Sequence, residues 1–568
     1  MGRAIFANSD LAMSTAVLGV NAVFHDSAAV LIVDGEIVAA AEEERFSRRK
    51  HGKPAVAFST WELPELAARW CLRKAGIDAS RLDAVAYSYD PALAVGRAGT
   101  GDPWEDLRTD FARRAPRFLA TSLPGLDPKR VRFVPHHVAH AASAYHGAGF
   151  GSCAVLVLDG RGEAASHLAG HRRGGRLEVL AAQRLPDSLG LLYEGLTEHL
   201  GFRRSSDEYK VMAMASYGRP AFLDELRAAV TADGEGGFRT APVEWDSLAP
   251  RLASGDEWTP RHADLAASVQ ARLEEVLLEL AGWLAERTGE RRLAMAGGVA
   301  LNCVANSRLL RDGPFDEIWV QPAAGDSGTA LGAATHVSER LGAAPAPMGT
   351  AALGREWSEH ELEAWLGDSA VPFERCEDIA AAVAERLAAD GVVAWHQGRS
   401  EWGPRALGHR SLLADPRHPE NLERLNAIKG REQFRPVAPM VLESRARELF
   451  DGPVPSPHML FTHRVRPGWA DRIPAAVHVD GTARIQTVDP AAEPVLARML
   501  ACFERITGVP VVINTSFNTA GRPMVDDPRD ALECFGSAPI DFLAIGPFLV
   551  SRERLFSVPD PEEEALSV

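Results

Sequence analysis

The chain has 568 residues, 46% of them hydrophobic and 24% charged, an ordinary globular composition with enough length for roughly three to four domain-sized units. Its formal net charge of −16 opposes nucleic acid as a partner and leaves only local basic patches to hold small anions. The six cysteines are scattered with no CxxC pair, which excludes a zinc knuckle and a disulfide framework and fits a reducing cytosol. No apolar run reaches the ~20 residues of a membrane span. Residues 11–23 are weakly apolar and run straight into strand-like sequence, unlike a signal peptide.

Ala16–Val23 reads as a buried strand. Ala28–Val33 and Glu36–Ala41, joined by Asp34-Gly35, read as a hairpin. The pattern recurs at Cys153–Asp159, Ala164–Gly170 and Leu177–Arg184, with Gly174-Gly175 at the second turn. The chain therefore carries an internal duplication, with an acid near the first turn of each copy (Asp26 and Asp159). Duplicated units of this kind are the plan of the actin-like ATPase fold, whereas periodicity by itself predicts only α/β. Residues 262–288 have the pattern of an amphipathic helix, and Arg292–Ala296 that of a strand broken by Gly297-Gly298. Gly342–Gly354, rich in Pro, Ala and Gly, reads as a linker and sets a domain boundary near residue 350. Beyond it come a helix over about 377–389, a strand Val392–Trp395, a loop rich in glycine and arginine, and a buried strand Val511–Ile513.

His136 and His140 are four apart, which stacks both imidazoles on one helix face where they can share a metal. The run ending in Asp159 is how a buried strand delivers a carboxylate, and Asp326 sits in a glycine turn before the small-residue helix Thr329–Ala334. Core histidines and a helix N-cap are the bland readings of these residues; together they make a shell of two nitrogens and two oxygens. With no thiolate among them, iron(II), manganese and zinc all stay open. Gly297, Gly298 and Asn302 lie in a strand-to-helix turn that suits an anion or is a plain tight turn. The charge run Glu42–His51 reads as a solvated face, although Lys50 follows the first hairpin closely enough to reach a nucleotide or an anionic leaving group. His25, near a strand end, is a candidate general base. In the C-terminal part, Arg399, Arg405, Arg410 and Ser411, then Lys429, Arg431 and Arg435, then Thr515, Ser516 and Asn518 form the donor set a phosphate-rich ligand needs, or else a structural ion-pair cluster.

Several motifs occur in a fixed order: VNAVFHDSAAVLIVDG, AEEERFSRRKHG, HHVAHAASAY, DEYKVMAMASYG, AGGVALN, GDSGTALGAA, GPRALGHRSLL and INTSFN. On these motifs the chain resembles the NodU/CmcH-type O-carbamoyltransferases from about residue 16 to 555. The resemblance implies an α/β protein with a large actin-like (ASKHA, duplicated RNase H-like) domain over 16–345, a linker over 346–355, and a smaller YrdC-like α/β domain over 356–568. Residues 1–15 would be a disordered extension. The smaller domain would use ATP with Mg(II) and carbamoyl phosphate to make carbamoyl adenylate. Arg399, Arg405, Arg410, Lys429, Arg431 and Arg435 would neutralise phosphates there, with Ser411, Thr515, Ser516 and Asn518 donating hydrogen bonds. The larger domain would pass the carbamoyl group to a hydroxyl of a small-molecule natural product, the intermediate travelling inside the protein. By the resemblance, His136, His140, Asp159 and Asp326 would hold Fe(II). His25 would be the base, Lys50 an electrostatic partner of the intermediate, and Asp207 and Lys210 would line the nucleotide or acceptor site.

Two other readings compete. A threonylcarbamoyl transfer to tRNA demands a basic surface, which the net charge opposes. A non-catalytic actin-like nucleotide-binding protein leaves the arginine loops unexplained. A cytoplasmic enzyme with a small-molecule acceptor, no nucleic-acid or membrane partner, and a homodimer as one open assembly state is the reading carried forward. The acceptor's identity is not legible; its walls would come from segments such as 84–125 and 219–262.

Overall fold

The structure, a computed structural model, describes residues 14–52, 62–96 and 104–556. These divide into two compact units. The first holds the chain through Leu353 together with Trp402–Pro404 and Leu460–Thr462, and the second holds the remainder from Gly354 onward.

The first unit is built twice on one plan. In the first copy, β1 (Ala16–Asn21), β2 (Ala28–Val33), β3 (Glu36–Glu42), β4 (Ala84–Tyr87) and β5 (Val131–Phe133) form a sheet of order β3-β2-β1-β4-β5. In the second, β6 (Cys153–Leu158), β7 (Ala165–Arg173) and β8 (Arg176–Arg184) are joined by the strands Arg292–Ala296 and Glu317–Val320. Their order runs from β8 through β7 and β6 to those two strands, the same order as in the first sheet. In each copy the first three strands are antiparallel and the last two add in parallel. This is the duplicated plan of an actin-like domain. Even the hairpins match. Asp34 and Gly35 (φ 50° and 87°) turn β2 into β3, and Gly174 and Gly175 (φ 55° and 75°) turn β7 into β8. Two consecutive left-handed residues are what a two-residue turn needs to follow the twist of its strands. β1, β2 and β6 are buried along their whole length, because each is covered on both faces; hence their continuous apolar runs.

Each copy's last strand is followed by a helix, His136–Ala148 in the first and Ser327–Arg340 in the second. Each helix packs chiefly on the other copy's sheet. The Ser327–Arg340 helix lies on β1 and β2, and the His136–Ala148 helix on β6 and Arg292–Ala296. Between the sheets the two helices press against each other. A Cβ at Gly332 would stand 1.6 Å from the carbonyl oxygen of Ala139, and one at Gly19 in β1 would stand 1.9 Å from that of Ala330. The runs of Ala, Gly, Ser and Thr in both helices exist for this approach.

The predicted helix over 262–288 extends over Pro260–Thr288, started by the Thr259–His262 capping box and ended by left-handed Gly289. Two expectations change. The stretch read as a linker runs along the first unit: Ala346 N donates to Gly35 O, Met348 N to Gly147 O, and Ala40 N to Leu353 O. The charge run is not a solvated face, since Glu42, Glu43 and Arg45 are buried. Glu43 accepts from Leu66 N (3.1 Å) and Ala67 N (2.8 Å), so it caps the helix Glu65–Ala75. Residues 1–13 of the expected extension lie outside the described residues; Thr15 N is tied to Asp34 Oδ1 (2.8 Å).

The second unit is built on an eight-stranded mixed sheet. At its centre Val393–His396 pairs antiparallel with Arg410–Ala414, which pairs antiparallel with Val511–Ser516. The predicted strands therefore extend beyond their apolar runs to include the polar residues at their ends. No helix among the described residues is long and apolar enough to cross a membrane.

The helix contact carries a prediction. Gly332→Ala forces two backbones apart, so it should destabilise the first unit by about 2–4 kcal/mol or prevent folding. Thermal unfolding measures this; an unchanged midpoint would refute the close packing.

Candidate active site

The two equivalent helices both begin at one place between the sheets. His136 is the first residue of one and Asp326 the N-cap of the other. Asp159 directly follows β6, whereas Asp26, its expected counterpart, falls five residues past the end of β1 and has another role. His140 comes in on the next turn of the His136 helix. The four side chains are buried (0%, 0%, 6% and 1% exposed for His136, His140, Asp159 and Asp326) and converge. His136 Nε2 lies 3.2 Å from His140 Nε2, 3.2 Å from Asp159 Oδ2 and 3.6 Å from Asp326 Oδ1. His140 Nε2 lies 3.7 Å from Asp159 Oδ2 and 3.6 Å from Asp326 Oδ1.

The two 3.2 Å spacings fall within the ~3.0–3.4 Å edges that ligands ~2.1 Å from one ion make in octahedral or tetrahedral geometry, and the 3.6–3.7 Å spacings lie just outside them. Both oxygens of the Asp326 carboxylate are buried with no hydrogen-bond partner, a costly state for an anion unless a cation faces it. The donor set therefore fits a divalent metal of hard-to-borderline character. An outer layer aims it. His136 Nδ1 lies 3.3 Å from Ser88 O, which leaves Nε2 to the site, and Glu163 Oε1 accepts from both His136 N and Asp90 N at 2.8 Å. Thr329 donates to Ser88 Oγ, and Ser88 donates in turn to Asn21. Ser88 and Glu163 were not legible as site residues; the only signal was Glu163 falling four residues after Asp159.

Burial alone would push the Asp159 and Asp326 carboxyls up. The imidazoles outweigh it, so that Asp159 sits well below the usual carboxylate range and Asp326 at about 2. Burial correspondingly disfavours charge on His136, but Asp159 and Asp326 raise it well above the ordinary histidine value. His137 is lowered by burial, and next by His136, to about 3.

Beside this centre the first-unit candidates assemble. His25 is half-buried in the turn after β1, its Nε2 3.8 Å from Asp326 Oδ2 and its Nδ1 2.9 Å from Asp26 Oδ2. His51 Nδ1 lies 2.7 Å from the other Asp26 oxygen. Lys210 Nζ pairs with Asp207 at 3.0 Å. Burial would raise Asp207, but Lys210, the Arg203 amide and the nearby charge of Lys50 bring it below its ordinary value. Gly297, Gly298 and Asn302 are differently employed. Gly298 N donates to Asp159 Oδ1 (3.0 Å), Gly297 needs its φ of 93° and its missing Cβ because Leu158 O lies 2.1 Å from where that atom would be, and Asn302 caps Ala305 and bonds Gln270. The turn thus holds Asp159 through the Gly298 amide, and Asn302 caps the helix that follows.

In the second unit, Lys429 is buried with Nζ among Ser516 Oγ (3.0 Å), Asn518 O (3.1 Å) and Asn518 Oδ1 (2.6 Å). Lys429, Ser516 and Asn518 thus come together as the sequence suggested. Arg399 Nε donates to Gly354 O, Arg431 Nε to Asn426 Oδ1, Arg435 pairs with Glu432, and Arg405 is half-buried. Ser411 Oγ and Thr515 face inward on the central strands, Ser411 accepting from Gly408 N. Arg410 departs from expectation. It is fully buried, and its guanidinium donates to the carbonyls of Arg355, Gln397, Gly398, His409 and Asp526. Its guanidinium and that of Arg355, an arginine that sequence reasoning passed over and that pairs with Asp526, both lie near the Trp357 ring. Arg410 shapes the loop that carries Arg405 and does not present a cation to phosphate.

With this geometry in place, comparison with known proteins identifies the class. Residues 16–94 and 118–335 match the carbamoyltransferase N-terminus family and residues 384–552 the carbamoyltransferase C-terminus family. Nodulation protein NolNO of Sinorhizobium fredii is 40% identical, with 96% of this chain and 82% of that protein covered. Nodulation protein NolO of Bradyrhizobium diazoefficiens is 42% identical over 75% of this chain and 80% of its own. Among solved structures, the HypF of T. kodakarensis is similar at 16% identity and a TM-score of 0.32, covering 58% of this chain and 48% of that one. The chain belongs to the carbamoyltransferase family and is a carbamoyltransferase.

Two measurements test the centre. Metal must displace the proton that the carboxylates hold on His136, so binding at neutral pH should release protons, and affinity should fall by about tenfold per pH unit per proton as pH drops below that raised value. Calorimetric heats that vary with the buffer's ionisation enthalpy show this; identical heats in all buffers would exclude it. Arg410→Ala leaves several buried carbonyls without donors and should cost the second unit about 3 kcal/mol or more in a denaturant titration.

Proposed function

We propose that this carbamoyltransferase uses ATP with Mg(II) and carbamoyl phosphate to form carbamoyl adenylate in its second unit and transfers the carbamoyl group, in its first unit, to a hydroxyl of a small molecule. The observation that carries the reading is the buried two-histidine, two-aspartate cluster with an imidazole, His25, 3.8 Å from one of its carboxylates. In the first stage, phosphate leaves carbamoyl phosphate as water adds, giving carbamate. A carbamate oxygen then attacks the α-phosphorus of ATP, and pyrophosphate departs with the electron pair of the broken bond. Carbamate decomposes readily in water, so enclosure favours this step. Arg399, Arg405, Lys429, Arg431 and Arg435, with Ser516, Thr515 and Asn518, are the side chains proposed to hold the phosphates.

In the second stage the acceptor oxygen attacks the carbamoyl carbon, the bond from that carbon to the AMP oxygen breaks, and AMP leaves. The acceptor's proton goes to His25 Nε2. Lys50 and Lys210 face the developing phosphate charge, and Asp207 fixes Lys210. A divalent metal, Fe(II) on the family resemblance, would be held by His136, His140, Asp159 and Asp326 and would supply Lewis acidity toward the carbonyl or the leaving phosphate.

The two stages separate by mutation. Arg405→Ala should abolish AMP formation from ATP and carbamoyl phosphate. His140→Ala should leave adenylate formation intact and reduce carbamoylation of an alcohol panel, read by mass, by at least about a hundredfold. Loss of adenylate formation in His140→Ala would refute the division of labour.

A further inference from the structure

Near the candidate base, five residues other than glycine hold left-handed backbone: Phe24 (φ 66°), Asp26 (φ 51°), Arg48 (φ 59°), His51 (φ 62°) and Ser205 (φ 56°). Such conformations are costly for residues with a Cβ and persist only where their surroundings impose them. Here the imposition is visible. Buried Asn21 donates from one amide nitrogen to His25 O (2.9 Å) and Asp26 O (3.0 Å), which clamps the turn. Glu44 Oε2 accepts from His51 N (2.9 Å). The product of these constraints is one carboxylate between two imidazoles: Asp26 Oδ2 at 2.9 Å from His25 Nδ1, and Oδ1 at 2.7 Å from His51 Nδ1. On its far side, His51 Nε2 lies 3.1 Å from Ser206 Oγ, the residue before Asp207.

An ionised carboxylate only accepts. Both Nδ1 atoms must therefore carry hydrogen, which leaves Nε2 of a neutral His25 bare and turned toward the metal cluster, while Nε2 of a neutral His51 accepts from the Ser206 hydroxyl. Asp26, Glu44 and His51 also lie close enough to suggest a second cation site. The 2.7 Å separation of His51 Nδ1 and Asp26 Oδ1 decides against it. That is a hydrogen-bond length, shorter than the ~3.0 Å minimum edge between two ligands ~2.1 Å from one ion.

We infer that Asp26 and His51 are positioning residues that lock His25 in the tautomer with Nε2 free to take the acceptor's proton. The inference deepens the proposed transfer step and rests on it for the role of that proton. When the hydroxyl proton moves to Nε2, His25 keeps its Nδ1 hydrogen on Asp26, whose charge stabilises the imidazolium, as an aspartate does for a catalytic histidine elsewhere. His51 holds the second oxygen, so that Asp26 cannot rotate away.

The test uses the full chain and variants that tolerate the left-handed backbone. His51→Gly removes the ring without strain; His51→Asn restores a donor near the place of Nδ1. Expected for His51→Gly is a kcat for carbamoylation of the screened alcohol about 10–100-fold lower, with the acceptor KM, adenylate formation and metal content unchanged. His51→Asn, or added imidazole with His51→Gly, should recover most of the loss. A KM effect alone, equal loss in both half-reactions, or no rescue would overturn the assignment. A second arm needs no carbamoyl donor. In zinc-loaded protein with 15N-labelled histidine, the His25 signals, assigned by their loss in His25→Gln, should show a protonated Nδ1 and a bare Nε2, and Asp26→Asn should mix the tautomers. An unchanged tautomer in Asp26→Asn, or loss of a second equivalent of metal from it, would sink the relay whatever the reaction proves to be. An intact relay without carbamoyl transfer would instead refute the proposed chemistry.

Discussion

The site depends on two helices touching backbone to backbone. At Gly332 and Ala139 there is no room for a side chain, and this contact fixes where the N-terminal ends of the two helices lie. His136 and Asp326 stand at those ends. A wider spacing of a single methyl group would move ligand pairs now 3.6 Å apart beyond the reach of a shared ion. The duplication makes the contact possible, since each copy contributes one helix and seats it on the other's sheet. The candidate ligand set accordingly draws on both copies, His136 and His140 from the first and Asp159 and Asp326 from the second.

Electrostatics explains why the centre tolerates two buried carboxylates. The two imidazoles offset them partly in the protein alone, which is why Asp326 sits near 2 and His136 is raised. His25 shares in this: burial lowers it, but Asp326 first and then Asp26 raise it well above the ordinary value. A cation in the cluster would cancel the pull of Asp326 and return His25 toward neutrality, so an ion and an unprotonated base favour each other. The second unit solves the opposite problem. Its arginines are held by carbonyls, amide oxygens and acids, as Arg410 and its five carbonyls make plain.

Much of this was legible residue by residue. The strand-turn-strand repeat, its two glycine-containing turns and the HxxxH helix follow from local rules of periodicity, turn chemistry and helical pitch, and they appear where expected. Asp326 was legible as a carboxylate at a helix start, and its role only in company with the histidines. The errors share a cause. The charge run 42–51 and Arg410 were read from their charge, and charge reports exposure only when no buried partner exists. Glu43 found two helix amides 23 and 24 residues on, and Arg410 found carbonyls as far away as Asp526.

The sequence by itself determined the duplicated α/β plan and the four ligand candidates, because each lies in a local motif short enough for backbone geometry to decide, while the order of its motifs carried the resemblance to the family. Only the tertiary structure decided that Ser88 and Glu163 aim His136, that the Gly298 amide serves Asp159, and that Asp26 lies between His25 and His51. Those pairings join residues 25 to 139 positions apart or hang on strained turns, and a hydrogen bond between distant residues leaves no periodicity in the chain that makes it.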